Sequence, residues 1–132
     1  MSYTTRQRLG PLTRITPLGA GHVRGLGFVF VLGVVSIQDF VLVFFRRVGE
    51  RSTSEPPAEL CVVSDDGRLH PWAGEVTAPL SPRGDTLGIA VFHDPLLPGT
   101  REIYVSAVVV DEEPAADDSV AVDSEGLMVS LP

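Results

Sequence analysis

Three histidines and one cysteine, His22, His70, His93 and Cys61, are the side chains best suited to chemistry in this chain of 132 residues. A metal centre needs several such ligands at short, regular spacing, as in HExxH or CxxC. Neither pattern occurs, and the histidines are far apart in sequence. The acidic pairs Asp65-Asp66, Glu112-Glu113 and Asp117-Asp118 lack the spacing of a calcium loop and read as solvated acidic turns. Ser, His and Asp are all present, but no G-x-S-x-G elbow places a serine for attack. GLGFVF is followed by a strand-like run and is not a dinucleotide loop. The expectation is a chain that is not an enzyme and carries no cofactor or metal. One small constellation stands out. His93-Asp94 borders a proline corner, and His70 and Trp72 lie on another turn. If those turns met, His70, Trp72, His93 and Asp94 would line a polar-aromatic pocket suited to a small ligand or a carbohydrate.

Cys61 has no second cysteine to pair with. It sits in the apolar run ELCVV, where a buried, inert thiol is expected. A reducing compartment fits this usage, and the cytoplasm is the expected location. The net charge of −7 is unevenly spread. Residues 1–51 hold seven Arg against Asp39 and Glu50, giving +5, whereas residues 52–132 hold three Arg against 15 acids, giving −12. All ten basic residues are Arg. Those of the leader, Arg6, Arg8 and Arg14 among them, are too few to make a nucleic-acid surface on an acidic chain, so no nucleic-acid partner is expected.

The elements that would position these residues are strands. Gly and Pro total 24 residues and punctuate short apolar runs. No window sustains a 3.6-residue period, and no internal repeat is present. The most apolar stretch is Gly25–Val48, GLGFVFVLGVVSIQDFVLVFFRRV, which carries five of the six Phe residues. Gly25–Phe45 is long enough to span a bilayer. However, Ser36, Gln38 and Asp39 interrupt it, Val and Phe favour strands, and Arg flanks both ends. It reads better as a hairpin, with Phe28–Ile37 and Phe40–Val48 joined at Gln38-Asp39, although Gln-Asp is a weak turn pair and Gly33 is either a bulge or bend or the alternative place for the turn. A membrane role through Gly25–Phe45 remains a secondary reading.

Before this hairpin, residues 1–24 read as a basic, weakly structured leader, with Thr13–Leu18 as an edge strand at most. Residues 25–132 read as one domain. Leu60–Ser64 is a strand that turns at Asp65-Asp66-Gly67. Arg68–Trp72 is a short return stopped by Pro71, and Ala73–Gly84 is loop-like. In Thr86–Phe92 the alternation places Leu87, Ile89 and Val91 inward, with Thr86, Gly88 and Ala90 outward. In Arg101–Val110 it places Ile103, Val105, Ala107 and Val109 inward, with Glu102, Tyr104 and Ser106 outward. Val120–Val122 and Leu127–Leu131 suggest a last small hairpin. About six to eight short antiparallel strands imply an all-β sandwich or small barrel.

The stretch CVVSDDGRLHPWAGEV, with GDTLGIAVFHDPLLPGTREIYVSAVV after it, resembles small immunoglobulin-like β-sandwich domains common in bacterial proteins. The matching pieces are Asp65-Asp66-Gly67-Arg68 and the corner Phe92–Gly99. The resemblance covers about residues 58–110, with Phe40–Val48 as a preceding strand, and it implies an antiparallel, immunoglobulin-like sandwich. It supplies no catalytic residue, because fold does not imply function. The antibody-type Cys…Trp…Cys arrangement is absent.

The central hairpin raises a physical problem. A sandwich strand usually has one apolar face, yet Phe28–Leu32 and Phe40–Phe45 are apolar on both. At ~25 cal/mol per Å2, leaving several such side chains in water forfeits several kcal/mol. The expected function is therefore protein–protein association, as a homo-oligomer or as a structural component of an assembly. The expected interaction face comprises Phe28, Phe30, Phe40, Leu42, Phe44 and Phe45.

Overall fold

The computed structural model describes residues 17–49, 59–80, 84–108 and 126–132. These form eight β-strands: β1 Gly19–Val23, β2 Gly27–Ile37, β3 Phe40–Val48, β4 Glu59–Ser64, β5 Leu69–Pro79, β6 Thr86–His93, β7 Glu102–Val108 and β8 Leu127–Ser130. All pairings are antiparallel, in the order β1-β2-β3-β6-β5-β4-β7-β8. The two outer strands, β1 and β8, approach each other, and the Ser130 amide faces the Leu18 carbonyl at 3.4 Å. The sheet is thus nearly closed on itself and barrel-like.

Local chemistry accounts for the hairpins. Gln38-Asp39 forms the turn between β2 and β3, and the pairing Ile37↔Phe40 starts immediately beside it. The register shifts between Val31 and Gly33, where Leu32 has no register partner, so of the two readings of Gly33 the bulge holds and the turn does not. Asp65-Asp66-Gly67 turns β4 into β5, and Gly67 has φ 83°, the left-handed conformation that glycine adopts without steric cost.

Three expectations about strands change. The first strand is Gly19–Val23, later than Thr13–Leu18; residues 13–16 lie outside the described residues. A Cβ on Gly19 would sit 2.7 Å from the Met128 carbonyl oxygen, so a glycine is what lets β1 come this close to β8. Second, β5 runs straight through Pro71 to Pro79, where a short return and a loop were expected. Proline lacks an N–H, but Pro71 ends the pairing with β4, and from Trp72 onward the strand pairs with β6. The proline thus stands where β5 changes partner. Third, β6 faces the opposite way from its expected orientation. Thr86, Gly88, Ala90 and Phe92 point inward and are buried, while Leu87, Ile89 and Val91 point outward. The reason is steric: the Phe45 ring fills the interior over Gly88, where a Cβ would lie only 2.4 Å from the ring.

The interior is packed with Val29, Val31, Val41, Val43, Phe45, Phe92, Ile103, Val105 and Val129 among others. Ile103, Val105 and Ala107 face inward as expected, and Val109 lies outside the described residues. Leu127 and Val129 are buried and Leu131 packs against the core. Residues 120–122 are outside the described residues. Cys61 and Ser106, paired across β4 and β7 on the other face of the sheet, are fully buried as well.

Candidate functional site

Side-chain parity divides the outer surface into two halves. On β4, β7 and β8 the outward positions are mixed, with Glu59, Glu102, Tyr104, Ser106 and Ser130 standing among Cys61, Val63, Val108 and Met128. On β2, β3, β6 and the second half of β5 they are nearly all apolar. Phe28 and Phe30 precede the bulge, Leu32 sits in it, and Val35 and Ile37 follow it. Beside them stand Phe40, Leu42 and Phe44 of β3, then Leu87, Ile89 and Val91 of β6, then Val76 and Ala78 of β5. Phe28, Val35, Ile37, Leu87 and Val76 keep between 42% and 68% of their surface exposed. At the centre of this face is an open groove of about 440 Å3, lined by Leu32, Phe44, Val76, Ala78, Leu87 and Ile89.

Of the residues expected on an interaction face, Phe28, Phe30, Phe40, Leu42 and Phe44 share this surface. Phe28 and Phe30 meet edge to face, with ring centroids 5.5 Å apart. Phe45 does not belong there: it is fully buried in the interior, because β3 alternates strictly and position 45 follows Val41 and Val43 inward. The groove residues Val76, Ala78, Leu87 and Ile89 were not recognised from sequence as part of the face. A signal was present in β6, where Gly88 and Ala90 are too small to be the packing side of a strand that also offers Leu87, Ile89 and Val91.

The second constellation lies at the barrel end that carries the β2–β3 turn, the β4–β5 turn and the end of β6. Here the fold brings His70, Trp72, His93 and Asp94 into one neighbourhood. Trp72 pairs with Phe92, next to His93, and is 41% exposed. The His93 ring lies 5.7 Å from that of Phe40. Asp94 has φ 68°, and its amide donates to the Asp39 carbonyl at 3.0 Å. His70 is fully buried, and its ring is taken up by internal partners. Nδ1 donates to the Asp94 carbonyl at 2.7 Å and also lies 3.2 Å from the His93 carbonyl. Nε2 is 3.1 Å from the Ser64 hydroxyl. That hydroxyl is also in contact with the Asp66 carboxylate and lies 3.2 Å from the Arg68 carbonyl. The Asp66 carboxyl is held below its ordinary range by the Ser64 hydroxyl, then by the Arg68 amide, which donates to it at 3.2 Å. Ser64, absent from the sequence-based set, is the hub of this network.

Ser64 and His70 have the distance of a nucleophile and its base, but both are buried and a turn carboxylate competes for the hydroxyl. The arrangement binds two turns together. The Cys61 thiol, pushed up to about 11 by burial, stays protonated at neutral pH and is a poor nucleophile. Among the described residues, no group of three His, Cys, Asp or Glu is placed to hold a metal ion, and no helix is long and apolar enough to cross a membrane.

The fold and the surface define a class, an all-β chain with a nearly closed sheet and one apolar outer face. Comparison with protein-family models, with curated proteins and with solved structures finds no match for this chain.

Proposed function

We propose that this chain is a non-catalytic β-module that works by protein association, through the outer face of β2, β3, β6 and β5. The observation that carries the reading is the continuity of that face. Four adjacent strands present apolar side chains outward around a central groove. Monomers rarely leave an apolar patch above ~300–600 Å2 in water. The resemblance to immunoglobulin-like domains accords with this use. In that reading β1-β2-β3-β6 and β4-β7-β8 are the two layers, and β5 passes from one to the other. A transmembrane barrel is disfavoured because it needs an apolar girdle all round and a polar lumen. Here the outward positions of β4, β7 and β8 mix polar Glu59, Glu102, Tyr104, Ser106 and Ser130 with apolar Cys61, Val63, Val108 and Met128, so the apolar band does not run all round, and the interior is apolar. The lone, buried Cys61 accords with a reducing compartment such as the cytoplasm.

The test is protection of the face in its native setting. Val76→Cys, in a Cys61→Ala background, places one thiol on the face. Purified and diluted to nanomolar concentration, it reacts readily with a maleimide. In cells of the source organism, at native expression, the same thiol is protected if the reading is right. Equal labelling in both settings rules out association through this face.

A further inference from the structure

We infer that the occupant of this face is a second copy of the chain, related by a two-fold axis and packed sheet on sheet. The inference rests on the association reading above and adds the partner's identity. Area is the first argument. Phe28, Val35, Ile37, Val76 and Leu87 are about half exposed or more, at 42–68%. At ~150–250 Å2 per aromatic side chain and somewhat less per aliphatic one, these five leave roughly 400 Å2 exposed, and the partly exposed Phe30, Leu32, Phe40, Leu42, Phe44 and Ile89 extend the face toward the ~800 Å2 that each partner buries in a standard interface. One face of one copy therefore suffices for a stable dimer.

Charge is the second argument. Among the described outward positions of β2, β3, β6 and the second half of β5, the one residue charged at neutral pH is Arg46. It is already bound to Asp85 at 2.8 Å. A heterologous partner chosen by charge would find little to read here. Arg46 stands between Phe30 and Leu87 in register, and its pairing with Asp85 is what lets two identical faces meet without an unbalanced like charge, although each chain carries −7 overall. Shape is the third argument. The Leu87–Ile89 side of the groove and the Phe28–Phe30 pair lie on opposite sides of β3 on the same face. An isologous contact places each copy's ridge against the other's groove, which is the self-complementarity that a two-fold requires. Sheets packed in this way lie about 10 Å apart, so side chains from both copies interdigitate.

Molar mass by light scattering tests the inference on the purified full chain, from about 1 to 200 μM, the range in which an interface of this size associates. The expected result is twice the chain mass at the upper end. The double variant Val76→Arg, Leu87→Glu places charges in the contact and raises the dissociation constant at least ~100-fold. Its circular dichroism stays that of the wild type, because both side chains point outward. Met128→Arg, exposed on β8 in the other half of the surface, leaves the mass unchanged. A wild type that stays monomeric throughout overturns the inference. So does a wild type that is dimeric with the double variant folded and equally dimeric. A monomer that pellets with phosphatidylglycerol vesicles also overturns it, in favour of lipid. So does a monomer whose residue-76 thiol resists maleimide, in favour of the chain's own residues 1–16. A monomer whose thiol is nevertheless protected in cells overturns the second copy but leaves association standing, so the two readings fail separately.

Discussion

His70 is held by two carbonyls on one side and a hydroxyl on the other, and it ties the β4–β5 turn to the end of β6. Removing the ring leaves a cavity and strips the Ser64 hydroxyl and the Asp94 carbonyl of a partner. His70→Ala is therefore expected to cost about 2–4 kcal/mol in urea unfolding. His70→Phe restores volume without the polar contacts and recovers only part of it. Asp66 acts on the same network through pH. Its carboxyl is lowered in the folded chain from an ordinary value of 3.8. A depressed carboxyl contributes stability above its unfolded value, and that contribution is lost as pH falls through the folded value. Wild type and Asp66→Asn are thus expected to differ in unfolding midpoint at neutral pH and to converge below pH 3.8. A gap that persists in acid would refute the assignment.

At the scale of elements, β3 and β6 are matched by size. Phe45 projects from β3 into the space that Gly88 leaves on β6, and the two are direct register partners. A single added methyl at position 88 has no room, since the aromatic ring is itself packed in the core. Gly88→Ala is expected to lower stability by about 1–3 kcal/mol, the usual cost of overpacking. Combining it with Phe45→Leu should cost less than the sum of the two separate changes, because each relieves the other. Additive losses would mean that the ring and the glycine are not in contact. The same pair explains the orientation of β6. Alternation in Thr86–Phe92 was legible, but either face could serve as the interior, and the choice between them depends on the Phe45 ring that β3 delivers against Gly88.

For the whole molecule, closure and association are the two consequences of topology. Bringing β1 against β8 joins the start of the described chain to its end, through the close approach at Gly19. β1 and β8 lie against each other without a ladder between them, which shields both edges from backbone pairing and leaves the apolar outer face as the surface to cover. A dimer formed there links stability to concentration. The melting temperature of the wild type is expected to rise with protein concentration across the micromolar range. That of Val76→Arg, Leu87→Glu should stay flat. A concentration-independent wild type would argue that the face is not shared between copies.

Much of the secondary structure follows from local chemistry in the sequence. The β2–β3 hairpin turns at Gln38-Asp39, β3 spans Phe40–Val48, Gly33 marks a bulge, and Asp65-Asp66-Gly67 makes a turn. Each depends on residues within a few positions of one another. The double apolar character of Phe28–Phe45 was also plain, since it is a matter of composition. What only the tertiary structure decided is which way each apolar side chain points and what it meets. Phe45 belongs to the interior, Leu87 and Ile89 to the surface, His70 to a buried network, and β5 to two different partners. Those outcomes depend on contacts between distant strands and on how many rings one small interior can hold. An alternating pattern carries one bit per strand, and choosing its sign requires the neighbouring strand.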